Sequence, residues 1–574
     1  MSHKLIDRAR QRFSAETGSN AKPWGGRLSV ALVYPNTYHH AMSNLGYLSV
    51  YQMLNARDDT LCERFFLPDP DDLKEHRRSG FPLFSLESQR ALGDFDVVAF
   101  SLSFENDYLN LPVILDLGGL PLWREERGEG HPLLLAGGVC AFMNPEPLAE
   151  IFDLFAVGEA EVLLPTLLAT LQQDEITRDE LLINLAQQPG FYVPSYYTPH
   201  YDPEGTLLGY HVEQPAPKKV ARQWQADLDQ GVVRGEVQTR ETEFGEMSLV
   251  EVSRGCSRGC RFCVAGYLFL PPREHQLDNL KKSCQQGLQT RKRLGLVGAA
   301  VSDYPDLGAL QAFIDESGGE SSLASLRIDA LSEEDVLALK QGGHRTVALA
   351  PEAGSQRLRD HINKGLDEEQ ILNAVRILAA GEILNLKLYF LVGLPEETDE
   401  DIEELLALVT KARDIWVEEG KKLGRLGTLL LSVNPFVPKP FTPLQWAAMP
   451  REAMLKKTMR RLQSAVGRMA NVEFTFESVR ASILQALLAR GDRRVGKLLP
   501  QLAEGQKLKP ACRDLDLDPD AYVHRERLQD EVFPWEILDS GVTRSYLWKE
   551  FLNAHSGKVT PRCSAGCSRC GVCS

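Results

Sequence analysis

Apolar residues in the first 160 positions gather in short runs rather than in helical stripes. Residues 28–33, 61–66, 96–101, 132–136 and 153–157 are five such runs, rich in Val, Leu and Phe. The stretches between them are long enough for crossover helices, and 45–54 carries a helical spacing after a loop at 34–42. Short continuous apolar runs separated in this way predict strands of a parallel sheet covered on both faces. The expected fold is therefore α/β, opening with a doubly wound, Rossmann- or flavodoxin-like parallel sheet over residues 1–190. Past Pro189-Gly190 the pattern fades into a stretch rich in Pro, Tyr and Gly, 191–245, read as a linker with a small hairpin near 209–212. From 246 the alternation restarts, with strand-like runs at 249–253, 295–301, 325–329, 346–350, 386–392 and 428–433. Six strand-then-helix repeats predict a partial TIM-like (β/α)6 barrel over 246–450, followed by a mainly helical region, 451–574, with a Cys-rich tail.

At 574 residues the chain exceeds the size of a single hydrophobic core, in keeping with several domains. A hydrophobic share of 43% and a charged share of 25% are ordinary for a globular protein. The net charge of −15 argues against attraction to nucleic acid over the whole surface, and leaves room for a local basic groove. The first residues lack a signal-peptide core, and no run of about 18 apolar residues could span a bilayer. Both observations point to a cytoplasmic location without membrane contact. Of eleven cysteines, seven fall in two tight groups, which is metal-site clustering rather than a disulfide framework. Cys62, Cys140, Cys284 and Cys512 are scattered, as small buried hydrophobes are.

The first group, Cys256-Ser-Arg-Gly-Cys260-Arg-Phe-Cys263, places three thiols in a Gly-containing loop directly after an apolar strand. Structural zinc usually takes four protein ligands, so three alone fit it poorly. A four-iron cluster can be held by three thiolates with the fourth iron left open for chemistry. The spacing, with an aromatic at Phe262, resembles the signature of the radical S-adenosylmethionine (SAM) superfamily. That resemblance implies a 4Fe-4S cluster on Cys256, Cys260 and Cys263 that chelates SAM and cleaves it reductively to a 5'-deoxyadenosyl radical. It further implies SAM contacts at the ends of later strands. Arg327, Glu352 and Ser355 are candidates for the ribose and polar groups, Gly393 and Pro395 for the turn beside SAM, and the stretch 434–443 for the adenine. One departure stands out: where the superfamily often has Gly-Gly-Glu for the SAM amino group, this chain reads Val297-Gly-Ala-Ala-Val-Ser-Asp303.

A doubly wound domain ahead of such a barrel resembles the cobalamin-binding class of the superfamily, within an uncharacterised family that shares this domain order. The resemblance implies a corrinoid across the carboxyl ends of the first sheet, at Gly137 and Gly138 after the fourth strand and Gly158 and Glu159 after the fifth. The Asp-x-His-x-x-Gly cobalt-ligand motif is missing, so neither His39 nor His40 is assigned to cobalt, and a ligand-free sheet is the alternative. The second group, Cys563, Cys567, Cys570 and Cys573, supplies four thiols, which suit a second iron-sulfur cluster or a zinc equally well.

The function expected is a radical SAM enzyme acting on a carbon of an unknown substrate, by methyl transfer if cobalamin is bound, by methylthiolation or another radical modification if not. It would draw electrons from a flavodoxin- or ferredoxin-like donor. The substrate leans towards RNA or protein because of a basic run from Arg480 to Arg494. The alternatives are an electron-transfer or sensor protein with an unused SAM site, and a cofactor carrier. No residue is assigned to hydrogen abstraction.

Overall fold

The computed structural model describes residues 3–573 apart from 174, 232, 324, 325, 330, 342, 343 and 565. The chain folds into two compact units, the first made of Met1–Ser248, Leu487–Pro519 and Asp530–Gly541, the second of Leu249–Ala486, Asp520–Gln529 and Val542–Ser574.

The first unit is built on a six-stranded sheet. Its strands are β1 (Leu28–Tyr34), β2 (Thr60–Phe66), β3 (Val97–Ser101), β4 (Leu133–Gly137), β5 (Leu154–Ala156) and β6 (Phe191–Tyr192), in the order β2-β1-β3-β4-β5-β6. The first five are parallel and β6 runs antiparallel to β5. All five apolar runs are strands here, and almost every residue of β1 and β2 is buried, as a parallel sheet covered on both faces requires. Arg64 of β2 is fully buried and held between Glu16 and Glu87, each at 2.6 Å. The loop expected at 34–42 contains a helical turn, Tyr38–Met42, because Tyr38, Ala41 and Met42 share one buried face at the spacing of a helix. The hairpin expected near 209–212 is present, with Tyr197–Tyr201 antiparallel to Leu207–Val212.

The region past 451 does not form a unit of its own. Its segment 487–519 returns to the first unit, where the Asn144 amide donates to the carbonyls of Ala489 and Gly491 at 3.0 and 2.8 Å. The basic run is spent in the same place. Arg490 is fully buried, Arg493 reaches both carboxylate oxygens of the buried Glu146 at 3.0 Å, and Arg494 pairs with Asp492 at 2.6 Å. Of the charges that favoured an RNA substrate, Arg493 and Arg494 are thus paired with acids, and Arg480 pairs with Glu452.

Among the described residues the second unit carries two larger sheets, beside a short antiparallel pair, Ser253–Arg254 with Arg273–Glu274. The first contains β7 (Met247–Glu251), β8 (Arg293–Val297) and β9 (Glu320–Leu323), in that order. The second is β10 (Thr346–Glu352), β11 (Asn385–Val392), β12 (Thr428–Pro435) and β13 (Val472–Phe476), parallel throughout. The strand expected at 325–329 lies earlier, at Glu320–Leu323, because the helix Leu307–Glu316 ends at Gly318-Gly319 and the chain extends at once; residue 325 lies outside the described residues. β8 stops at Val297 and not at 301, and β13 is a seventh strand that the apolar pattern did not announce, since its burial is slight. The helix Asp399–Lys422 starts where Thr398 accepts from Asp401 N–H and the Asp401 carboxylate answers Thr398 N–H, a reciprocal cap. Among the described residues no helix is long and apolar enough to cross a membrane.

Candidate functional site

Burial along the strands separates the sheets. In β10, β11 and the start of β12 buried residues alternate with half-buried ones, so one face packs on the helices and the other is left partly open. Ala348 and Ala350 of β10 and Lys387, Tyr389 and Leu391 of β11 sit on that open face, with Lys387 Nζ 4.5 Å from the Tyr389 ring centroid.

The loop after β7 holds Cys256, Cys260 and Cys263, all partly accessible. It is pinned at both ends. Arg261, fully buried, donates to the carbonyls of Asp360 and His361 at 3.0 and 2.8 Å and to Glu550 at 3.1 Å. The Asn363 amide and the Tyr267 hydroxyl both donate to the carbonyl of Gly259 at 3.1 Å. The backbone N–H of Arg258 points at the Cys256 sulfur, and those of Ala265 and Gly266 at the Cys263 sulfur. Burial pushes the Cys260 thiol up to about 12, so without a metal it keeps its proton at neutral pH, and a bound metal would displace that proton. Among the described residues no three His, Cys, Asp or Glu side chains converge on a single ion position. A four-iron cube sets each thiolate on its own iron, and this donor set of three thiols, backbone N–H groups and the nearby cations Lys364 and Arg258 fits such a group.

Two of the expected SAM contacts are brought to this loop. β10 shifts register between Leu349 and Glu352, and Glu352 itself takes a left-handed backbone, φ 66°, which costs a non-glycine residue energy and is concentrated at functional sites. Its carboxyl is raised by burial, against the pull of Lys364 at 3.2 Å, and it lies within electrostatic reach of Cys260 and Cys263. Arg327 joins a rim network in which Asp303 takes Arg258 at 2.8 Å and Arg327 at 3.1 Å, while Asp329 takes Arg327 at 2.9 Å, Arg562 at 2.6 Å and Arg258 at 3.4 Å. Burial opposes ionisation of Asp329, yet these arginines hold its carboxyl well below the usual range. Asp303, the end of the stretch that departs from Gly-Gly-Glu, is thereby occupied with arginines.

Ser355 is placed differently. It is buried, its hydroxyl donates to Asp401 at 2.5 Å and accepts from Leu358 N–H at 3.2 Å, so it caps the helix Gln356–His361 and has no proton left for a ribose. Gly393 and Pro395 lie in the turn after β11, where Gly393 N–H donates to Glu397 at 2.9 Å. Burial pushes the Glu397 carboxyl up to about 7. Lys364 and Asn363 were not expected at the cysteine loop, because nothing in their spacing ties them to it.

In the first unit the glycines proposed for cobalamin serve the chain itself. A Cβ on Gly138 would stand 2.6 Å from the carbonyl oxygen of Leu102, and one on Gly158 would stand 2.0 Å from that of Gln223. Glu159 accepts the N–H of Gln225 at 3.0 Å. Gly137 lines a small apolar pocket with Gly138, Gly158, Leu163 and Leu167. The close approach that suggested a bulky ligand is made at Gly138 and Gly158 by backbone. His40 contacts Thr37 at 2.9 Å and His39 faces Glu243 at 3.6 Å, as polar loop residues do. The four scattered cysteines are buried, as expected.

In the second group, Cys563, Cys567 and Cys570 line a small pocket whose wall also includes Cys256 and Gly259, so the structure brings the two cysteine groups together.

Comparison with known proteins bears on the family of the chain. Residues 250–409 match the family model for the radical SAM superfamily, and residues 46–194 the one for the N-terminal region of radical SAM proteins. An uncharacterised protein of Methanocaldococcus jannaschii is 30% identical over 82% of this chain and 90% of its own length. A tRNA-2-methylthio-N(6)-dimethylallyladenosine synthase of Ruegeria pomeroyi is 26% identical over 32% of this chain, and under half of that enzyme, 45%, is spanned. Among solved structures, methylornithine synthase aligns over 43% of this chain and 72% of its own at 15% identity, with a TM-score of 0.29.

Proposed function

Given that the chain belongs to the radical SAM superfamily, we propose that it is an enzyme that cleaves S-adenosylmethionine reductively at the Cys256, Cys260 and Cys263 loop to start a radical modification of a carbon in its substrate. The observation that carries this is the left-handed Glu352 at a bulge in β10, set beside the cysteine loop and facing Lys364. Strain of that kind persists where surrounding structure holds a side chain in a working position.

The cluster, when bound, supplies the electron that breaks the sulfonium of SAM to methionine and an adenosyl radical. The protein's residues bind and orient. The three thiols would hold the iron and leave one position open, we assign Glu352 and Arg327 to the polar groups of SAM, and the Gly393-Leu-Pro395 turn follows β11. The half-open face of β10 and β11, with Lys387 and Tyr389, gives a substrate room to meet the radical away from bulk water.

Radical modification without a corrinoid is the form we favour, because Gly138 and Gly158 make room for Leu102 and Gln223. The partial likeness to a methylthiolating tRNA synthase makes attachment of a methylthio group the first chemistry to test. An electron-transfer protein with an unused SAM site would have no need of the open sheet face or of the bulge at Glu352.

The test is anaerobic reconstitution with iron and sulfide, reduction by dithionite with SAM present, and chromatography for 5'-deoxyadenosine, with Cys260→Ala beside it. Deoxyadenosine from the intact protein alone is the expected result. A filled cluster that leaves SAM intact would overturn the proposal.

A further inference from the structure

We propose that Cys563, Cys567, Cys570 and Cys573 hold a second four-iron cluster that delivers electrons, one at a time, to the cluster at Cys256, Cys260 and Cys263. The role rests on the SAM-cleaving reading above; the site does not.

The two cysteine groups, some three hundred positions apart in the chain, are joined by a single hydrogen bond. Cys563 N–H donates to the carbonyl of Ser257, the neighbour of Cys256, at 2.7 Å. The path from one ligand set to the other is thus one residue and one hydrogen bond long. The tail is held there by several independent contacts. Arg562 pairs with Asp329 at 2.6 Å, and Asp329 in turn takes Arg258 from the first cysteine loop. Thr560 N–H donates to Asn363 Oδ1 at 2.8 Å, and the Asn363 amide donates both to Thr560 O and to Gly259 O. Cys570 is buried, and its carbonyl accepts Thr543 N–H at 2.9 Å.

The thiols lie close enough to act on one another. Cys563 and Cys567 share a sulfur hydrogen bond, and the other two cysteines act on Cys563 electrostatically. Arg569 Nε sits 3.1 Å from the Cys567 sulfur and favours its thiolate, while its other nitrogen donates to the carbonyls of Pro561 and Arg562 at 2.8 Å, closing the tail into a loop. Four sulfurs saturate a four-iron cube. A zinc would have only a structural task, and the tail is already fastened by the contacts above. A redox-active group is the one that gains from standing beside the first loop. Cys573 faces solvent, so a soluble donor meets the tail first.

The step balances as electron transfer alone. The reduced tail cluster gives one electron and is oxidised, the first cluster takes it and is reduced, and no bond or proton moves. A one-electron protein donor of flavodoxin or ferredoxin type then reduces the tail cluster again.

The experiment uses the full chain, reconstituted anaerobically, with iron, sulfide and zinc counted and the reduced protein examined by electron paramagnetic resonance. The wild type should carry about eight irons. The variant with all four tail cysteines changed to Ala, and the Cys256→Ala, Cys260→Ala, Cys263→Ala variant, should each keep about four. Signals of the two reduced clusters should broaden each other in the wild type and sharpen in either variant. The tail variant should lower, about tenfold or more, the ratio of deoxyadenosine formed with reduced flavodoxin to that formed with dithionite. Stoichiometric zinc lost with the tail cysteines, or about four irons in the wild type that all vanish with Cys260→Ala, would overturn the proposal. Eight irons without deoxyadenosine would leave the site standing, sink the SAM reading, and remove the relay role with it. Should the tail variant fold poorly, Arg569→Gln keeps all four thiols and removes a donor and a positive charge from Cys567. It should lower the midpoint potential of the tail cluster and leave the other where it was; an unmoved potential counts against the assignment.

Discussion

Both units present loops at the carboxyl ends of parallel strands, where open α/β sheets keep their ligand sites, yet they use those loops in opposite ways. In the first unit the strands are buried along nearly their whole length, and the polar groups at their ends are consumed internally: Asn36 by Asp107, Glu146 by Arg493, Glu159 by the backbone of Gln225. In the second, β10 and β11 are buried only at every other residue, and the loop after β7 ends in three thiols that no other side chain has claimed as ligands. A sheet sealed on both faces invests its loop chemistry in stability. A sheet left open on one face keeps that chemistry for a ligand.

The sharpest test removes one thiol. Cys260→Ala should cut SAM cleavage by about 1,000-fold or more while secondary structure persists, as read by deoxyadenosine yield and circular dichroism. In the first unit the corresponding blow falls on stability. Arg493→Ala strands the carboxylate of Glu146, which is fully buried, and should cost about 3–5 kcal/mol in a denaturant titration of that unit. Gly158→Ala sharpens the contrast further. Its new Cβ collides with the Gln223 carbonyl at a backbone φ of 137°, so the free protein should lose about 2–4 kcal/mol. If the glycine existed for a ligand, the free protein would be as stable as before and only corrinoid binding would suffer.

The smallest effect is a pH dependence at the turn after β11. Burial, against the Gly393 N–H that it accepts and with help from nearby Asp401, pushes the Glu397 carboxyl up to about 7, above the usual carboxylate range. A raised carboxyl binds its proton more tightly in the folded state, so its contribution is fully present below the unfolded value of about 4.5 and is lost as pH rises to 7. Glu397→Gln should therefore flatten the fall in stability across that window by on the order of 2 kcal/mol. A slope unchanged by the substitution would show that another group carries it.

Much of this molecule was legible in one dimension. Strand runs such as 28–33, 61–66 and 386–392 announce themselves because burial on one or both faces demands apolar residues at short range. The three-thiol loop is equally plain, since the ligands of one cluster lie within eight positions. By contrast β9 was misplaced by about five residues, because Glu320–Leu323 has no fully buried position to mark it. Ser355 read as a ligand because a Ser at a strand-to-helix junction looks the same whether its hydroxyl faces a cofactor or Asp401.

The amino-acid sequence by itself determined the α/β class, the superfamily and the clustering of seven cysteines in two short groups, because each depends on residues close together along the chain. Only the tertiary structure decided that Gln223 fills the space over Gly158, that Arg493 is spent on Glu146, and that Cys563 lies against Ser257. Those contacts join positions tens to hundreds of residues apart, and no local pattern of hydrophobicity or charge records which distant partner a side chain will meet.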